Sequence, residues 1–308
     1  MNSSLFRSTW LLVCLCFAPL ASASPGLQGV VDEAVRVTLA EFSSRSLKAD
    51  QLAVTLVDLR DPARPVQASA RGDVPIYPAS VIKLFYLAAA HRWMEDGRLA
   101  DTPELRRAMR DMIVDSSNDA THYVIDLLTV TTSGPELSDA EIAGWFDKRE
   151  AVSRYFAGLG YTNVIANKKP WGDGPYGRES QAIRLFEPKR NMLSTEATAR
   201  LFVEIATGRC VTAARSAQML ELLARDPATK VADPDDQAKF TGPALPPGAK
   251  FWSKAGWTSK TRHDAVLVEL AGGARYVLVT YTTDHANERE IIRAVAKSVF
   301  ASLAKAAP

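Results

Sequence analysis

Apolar residues recur at helical spacing over residues 30–42, at Val30, Val31, Ala34, Val35 and Leu39, which predicts a first helix. The pattern then changes. Residues 52–59, Leu-Ala-Val-Thr-Leu-Val-Asp-Leu, form a short β-branched run and predict a strand. Asp61-Pro62-Ala63-Arg64-Pro65 is a turn, and residues 66–70 predict the returning strand of a hairpin. Residues 79–93 are almost wholly apolar, and a helix that is apolar all round belongs at the centre of a core. Further helices are predicted at 104–114, 119–128, 195–207 and 213–223. Three β-rich runs follow, at 250–257, 264–270 and 275–282, with Gly272-Gly273 as the tight turn between the last two. Residues 288–303 close the chain as an amphipathic helix carrying Ile291, Ile292, Val295, Val299 and Leu303 on one face. Two stretches lack periodicity. Residues 131–142 read as a loop with a helix cap at Ser138. Residues 168–191, rich in Lys, Gly, Pro and Arg, read as a long loop of the kind that carries function.

Strands at both ends and helices between predict an α+β fold. One antiparallel five-stranded sheet is flanked by the N- and C-terminal helices, beside a second all-helical lobe. The expected division is a signal peptide over 1–23 and one catalytic domain over 24–308. Its sheet lobe takes about 24–72 and 245–308, and its helical lobe about 73–244. The leader follows from Arg7, the short apolar run 10–20 and the small residues of Ala21-Ser22-Ala23, so the mature protein is expected in the periplasm or secreted. Cys14 and Cys16 follow Val13 and Leu15, which are too large for a lipoprotein site. Cleavage leaves Cys210 alone, so no internal disulfide forms. Beyond residue 30 no apolar run reaches membrane-spanning length.

A chain of 308 residues, 47% apolar and 23% charged, has ample material for a core. Its 37 basic and 35 acidic residues give a net charge of +2, which offers no basic stripe for nucleic acid. A monomer acting on a small molecule is expected. His91, His122, His263 and His285 show no ligand spacing and no cysteine cluster exists, so neither a metal nor another cofactor is expected. There is no G-x-S-x-G elbow.

Three short motifs carry the candidate chemistry. Ser80-Val81-Ile82-Lys83 opens the apolar helix. Three residues is almost one helical turn, so Lys83 lies near the Ser80 hydroxyl. A lysine desolvated in an apolar helix is a ready base for a serine nucleophile. The same spacing recurs by chance at Ser302-Leu303-Ala304-Lys305. Ser116-Ser117-Asn118 stands between two predicted helices, where Ser and Asn are also ordinary caps. Lys254-Ala255-Gly256 lies on a predicted strand and is followed by Trp257, whose backbone N–H, with that of Ser80, suits an oxyanion.

In this order and on these element types, the three motifs are the set of serine β-lactamases and penicillin-binding proteins, and the chain resembles the class A β-lactamase superfamily. The resemblance extends to the strand with Val279-Thr280-Tyr281-Thr282-Thr283 and the terminal helix, and spans roughly residues 45–305. It implies that Ser80 is acylated, that Lys83 is its proton partner and that Ser116 passes the proton to the leaving nitrogen. It also implies that Asn118 orients substrate, that Lys254 attracts its carboxylate and that Gly256 lets substrate lie along the strand. The chain departs from the family at Ala255, where a hydroxyl residue is usual, and at Ser117, where Asp is usual. For the water-activating glutamate there are two candidates. Glu179 has the better distance to the next helix. Its rival Glu187 matches the local pattern in Glu187-Pro188-Lys189-Arg190-Asn191. Lys260, Arg262 or His263 is a candidate second charge for the carboxylate, Asp264 reads as a turn residue, and Trp171 and Tyr176 suit a lid. The resulting expectation is hydrolysis of a β-lactam. The alternatives are a D,D-peptidase acting on peptidoglycan-derived peptides and a non-catalytic penicillin-recognising or peptidoglycan-binding protein.

Overall fold

The computed structural model describes residues 25–305. The expected leader lies outside the described residues. In chain order, α1 (Pro25–Glu41) leads into the hairpin β1 (Leu52–Asp58) and β2 (Val66–Ala70). A 3-10 turn, Ala79–Ile82, runs directly into α2 (Lys83–Glu95). Then come α3 (Pro103–Ile113), α4 (Asn118–Thr129), α5 (Asp139–Arg149), α6 (Ala151–Gly158), β3 (Val164–Ile165), α7 (Gly177–Leu185) and β4 (Met192–Leu193). The remainder is α8 (Thr195–Ala206), α9 (Ala213–Leu223), β5 (Ala224–Arg225), β6 (Lys250–Trp257), β7 (Thr261–Glu269), β8 (Arg275–Thr283) and α10 (Glu290–Lys305).

The main sheet is antiparallel with the order β2-β1-β8-β7-β6-β5. It has one strand more than the five expected. The addition, β5, is two residues long and too short to leave a pattern in the sequence. Both faces are covered, and the strand residues divide between two cores. Leu52, Val54 and Leu56 of β1 join Val31, Ile291, Val295 and Val299 of α1 and α10. Ala53 and Val57 point the other way, into a core shared with α2, α8 and the helices between. Thr55, between them on that face, places its hydroxyl 2.7 Å from that of Thr195 at the start of α8. Double coverage is why these strands read as continuous apolar runs, without the alternation of a half-solvated sheet.

The central helix α2 is buried along nearly its whole length, as its composition requires. Phe85 packs edge-on against Phe156 of α6, with ring centroids 4.8 Å apart, and against Tyr161 at 6.2 Å. The first turn of this segment is 3-10, not α. Two helical stretches lack a hydrophobic period. At the first, Ser138 does cap a helix, in a capping box with Glu141, and α5 runs on from it past the expected loop, with α6 directly after. The second, α7, forms within the expected long loop, and its buried positions are Glu179, Gln181 and Ala182. A helix that buries charge and amide leaves no apolar stripe to read. Among the described residues no helix is long and apolar enough to cross a membrane.

Phe85→Ala should destabilise the fold by about 3–5 kcal/mol, because the cavity opens between three packed elements. Chemical denaturation checks this, and a cost under about 1 kcal/mol would show that the centre of this core is not close-packed.

Candidate active site

The first motif sits where the chain turns from the sheet side into α2. Ala79 has φ +46°, a left-handed conformation that a residue with a Cβ adopts rarely. That kink carries Ser80, half-buried, to the mouth of the helix. Lys83, fully buried, is the first residue of α2 proper.

The second motif is the turn between α3 and α4. Ser117 takes the capping role, its hydroxyl accepting from Ala120 N at 3.2 Å. This leaves the side chains on either side free of that role. Ser116, held at φ +55°, and Asn118 both turn toward Lys83. Lys83 Nζ donates to the Ser116 carbonyl and, at 2.8 Å, to Asn118 Oδ1, and it stands 3.3 Å from Ser116 Oγ. In this structure Lys83 is therefore bonded to the second motif and not to the Ser80 hydroxyl, whose neighbour the helical spacing suggested it would be.

The third motif runs along β6. Lys254 is fully buried, and its Nζ has three partners: Ser116 Oγ at 3.0 Å, Gln237 Oε1 at 2.6 Å and the Ala255 carbonyl at 2.7 Å. All three are protein atoms, whereas the motif alone suggested a cation facing the substrate. Ala255 packs with Phe240 and Ile292. Gly256 is small because of the protein's own backbone. A Cβ there would stand 2.7 Å from Ser80 N and 2.8 Å from Pro78 O. Sequence reasoning attributed that smallness to substrate, whereas the strand must first fit against the Ser80 turn. Thr258 N donates to Thr261 O, and this fixes the alternation of the β6–β7 ladder. The N–H groups of Ala255 and Trp257 then point away from β7, toward the open edge. That of Ala255 is taken by Gln237 Oε1 at 3.1 Å. That of Trp257 points the same way, away from β7.

Electrostatics follow from burial. Desolvation brings Lys83 down to about 7. Lys254 is pushed well below the ordinary lysine range, first by desolvation and then by the nearby charges of Lys83 and Arg225. Asp264 is pushed up to about 7 by burial and accepts from Thr241 Oγ1 at 2.7 Å. It lies inside β7, opposite Ala255, and not in a turn.

Of the three candidate charges for a substrate carboxylate, two are buried against protein partners. His263 is fully buried, brought down to about 4 by desolvation, and its Nε2 lies 2.9 Å from the Tyr77 carbonyl. Arg262 is buried against Asp235 and the Ala286 carbonyl. Lys260 is exposed in the turn. Gln237, which joins the third motif to the end of α3 just before the second, escaped the sequence reading. It sits in an aperiodic stretch, and nothing local marks it.

Neither loop glutamate meets Lys83 or Ser80. Glu179 is almost fully buried in α7. Its carboxylate accepts from Ser133 Oγ at 2.8 Å and from Arg149 Nη2, with Lys169 Nζ 3.6 Å away. Arg149 and Lys169 also bind Asp126, at 3.1 and 2.8 Å. Glu187 is exposed and pairs with Lys189 at 3.1 Å. Trp171 and Tyr176 do form an aromatic group, with the Trp171 ring 4.3 Å from that of His122, one turn beyond Asn118 on α4.

A family model described as the Beta-lactamase enzyme family matches residues 35–303. No curated protein matches the sequence. Among solved structures, a β-lactamase from Sphaerobacter thermophilus superposes with a TM-score of 0.64 at 17% identity, covering 90% of this chain and 99% of its own. A β-lactamase from Xanthomonas campestris pv. campestris gives 0.63 at 17% identity, covering 88% and 98%. A mutant of PBP-A, solved as an acyl-enzyme complex with penicillin G, gives 0.62 at 20% identity, covering 94% and 100%.

Arg149→Ala should cost about 3–5 kcal/mol, because it leaves the buried Glu179 carboxylate without its closest cation. Urea unfolding of the two proteins measures this. A loss below about 1 kcal/mol would mean that Glu179 does not depend on that pair.

Proposed function

The chain belongs to the β-lactamase enzyme family, and we propose that it is an exported serine hydrolase that forms an acyl-enzyme on Ser80, with a β-lactam as the substrate class its site suits best. The observation that carries this reading is the Ser116 hydroxyl, which stands between two buried amines, Lys83 at 3.3 Å and Lys254 at 3.0 Å. A hydroxyl so placed can pass a proton from one side to the other. Acylation requires Lys83 Nζ to turn from Asn118 to the Ser80 hydroxyl. The neutral amine then removes the Ser80 proton as Oγ bonds to the carbonyl carbon. The carbonyl C–N bond breaks, and the departing nitrogen receives a proton through Ser116. The N–H groups of Ser80 and Trp257 face the oxygen on which negative charge develops. Water then cleaves the ester and restores Ser80. Asn118 and the edge of β6 position the substrate. That a PBP-A mutant of the same fold is an acyl-enzyme with penicillin G supports a penicillin as the first probe.

A second reading draws on Glu179. Its carboxylate is committed to Arg149, Ser133 and Lys169. A glutamate so engaged activates water poorly, which favours slow release, as in a D,D-peptidase or a penicillin-recognising protein.

Intact mass of the mature protein, followed with drug loss during exposure to benzylpenicillin, separates these readings. Rapid loss with a transient adduct, absent in Ser80→Ala, is expected of a hydrolase. A lasting stoichiometric adduct on Ser80 would favour the second reading, and neither adduct nor loss would remove β-lactams as the substrate class. The sign of the pH dependence follows from Lys83. Because the neutral amine is the base and its value is about 7, acylation should rise as pH rises. The gain should be about tenfold between about pH 6 and pH 8. A rate flat across that range would show that Lys83 is not the base.

A further inference from the structure

We propose that Gln237 is a positioning residue of this site, whose single amide holds Lys254 and the edge of β6 against the Ser116 turn. The inference rests on the acyl-transfer reading of Ser80 for its functional consequence, though not for its geometry. Gln237 Oε1 accepts from Lys254 Nζ at 2.6 Å and from Ala255 N at 3.1 Å. Its Nε2 donates to the carbonyls of Ile113 and Val114, both at 2.8 Å. An amide has two acceptor sites and two donors, so its capacity is fully used. The assignment of oxygen and nitrogen is also fixed, because a flip would set the amide nitrogen against an ammonium and the oxygen against two carbonyls.

The four bonds join the end of α3 to β6, beside the Arg225 guanidinium that also bridges these two elements. Ile113 and Val114 close α3, two residues before Ser116, and their carbonyls are among those a helix end leaves without partners. Lys254 and Ala255 belong to β6. Among the described residues, Gln237 and Ser116 are the only side chains bonded to Lys254 Nζ. The other charged groups that act on it are Lys83 from α2, Arg225 from β5 and Asp264 from β7. Arg225 is spent on carbonyls, including Ile113 O at 2.9 Å and Ser253 O at 3.1 Å. Asp264 is bonded to Thr241.

The consequence is chemical. The Gln237 and Ala255 oxygens can only accept, and they consume two of the N–H groups of Lys254. The third direction faces Ser116 Oγ, so the amide aims what remains of Lys254, a third proton or a lone pair, at the hydroxyl between the lysines. The two amines titrate as a coupled pair. Removing the Gln237 oxygen withdraws an acceptor from the ammonium form of Lys254, and a carboxylate in its place would stabilise that form.

The test uses the mature protein with Gln237→Met, which keeps length without polarity, and Gln237→Glu. Titration of the Lys254 13Cε signal, assigned with Lys254→Gln, reads the proton directly and needs no substrate. Gln237→Met should lower the midpoint by about one pH unit or more, the scale for a buried ammonium that loses a hydrogen bond. Gln237→Glu should raise it. Single-turnover acylation by benzylpenicillin should fall at least tenfold at its optimum in Gln237→Met. Its pH profile should shift to lower pH in that variant and to higher pH in Gln237→Glu. Midpoints that do not move, or a rate that falls equally at every pH, would overturn the proposal and leave Gln237 a packing residue. If Gln237→Met does not fold, the upward shift in Gln237→Glu still decides. A wild-type protein that benzylpenicillin does not acylate would count against the β-lactam reading, and the titration would still decide the role of Gln237.

Discussion

Two lysines lie in the interior of this protein and share one serine hydroxyl, and among the described residues no carboxylate is in contact with either amine. Burying an ammonium is costly unless every donor is met. Here each amine is met by neutral acceptors: the Ser116 carbonyl and Asn118 Oδ1 for Lys83, and Gln237 Oε1 and the Ala255 carbonyl for Lys254. Neutral acceptors satisfy the donors without fixing the charge, so burial brings Lys83 down to about 7 and lowers Lys254 well below the ordinary lysine range. A carboxylate in the same place would hold them charged. The left-handed Ser116, the Ser117 cap and the Gln237 bridge all serve this one arrangement.

The scaffold makes such close convergence possible because it is rigid on both sides. Helices cover both faces of the sheet, and α2 is enclosed by aromatic and aliphatic side chains. β6 is paired along its length with β7 but with β5 only at two residues, so its end beyond Trp252 is an open edge. That edge approaches the Ser80 turn so closely that only glycine fits at position 256. The left-handed Ala79 turns the chain at the point of contact. Local strain is thus placed at the two turns that present Ser80 and Ser116, where the surrounding core can sustain it.

Away from the two lysines the charges are arranged differently. Arg149, Lys169, Asp126 and Glu179 form a closed ionic cluster that fastens α5, α7 and the 168–171 segment together. Asn191 adds to it, its Oδ1 accepting from the backbone N–H groups of Asn167 and Lys168. Glu179 serves this cluster and stands apart from Ser80 and Lys83. The solved structures similar to this chain share its fold at 17–20% identity. Identity that low leaves room for a rim built on its own terms.

Much of the fold was legible in the chain. β-branched runs and helical periods located β1, β2, β6, β8, α9 and α10 to within a residue or two, because burial of apolar surface is what those patterns record. Order and element type marked Ser80, Lys83, Ser116 and Lys254 as candidates. Where local chemistry governs, as at the Ser138 cap and the Gly272-Gly273 turn, the sequence also suffices. It did not reveal α7, whose inward face is polar, nor Gln237, whose partners lie 124 residues away in one direction and 17 in the other. Nor could it tell that Lys83 turns to Asn118, that Gly256 makes room for backbone, or that Glu179 is held by Arg149. The sequence by itself determined the elements and the inventory of reactive groups, because periodicity and capping act between near neighbours. Only the tertiary structure decided which polar group meets which, because a buried donor bonds whatever acceptor the packing of distant segments brings within about 3 Å.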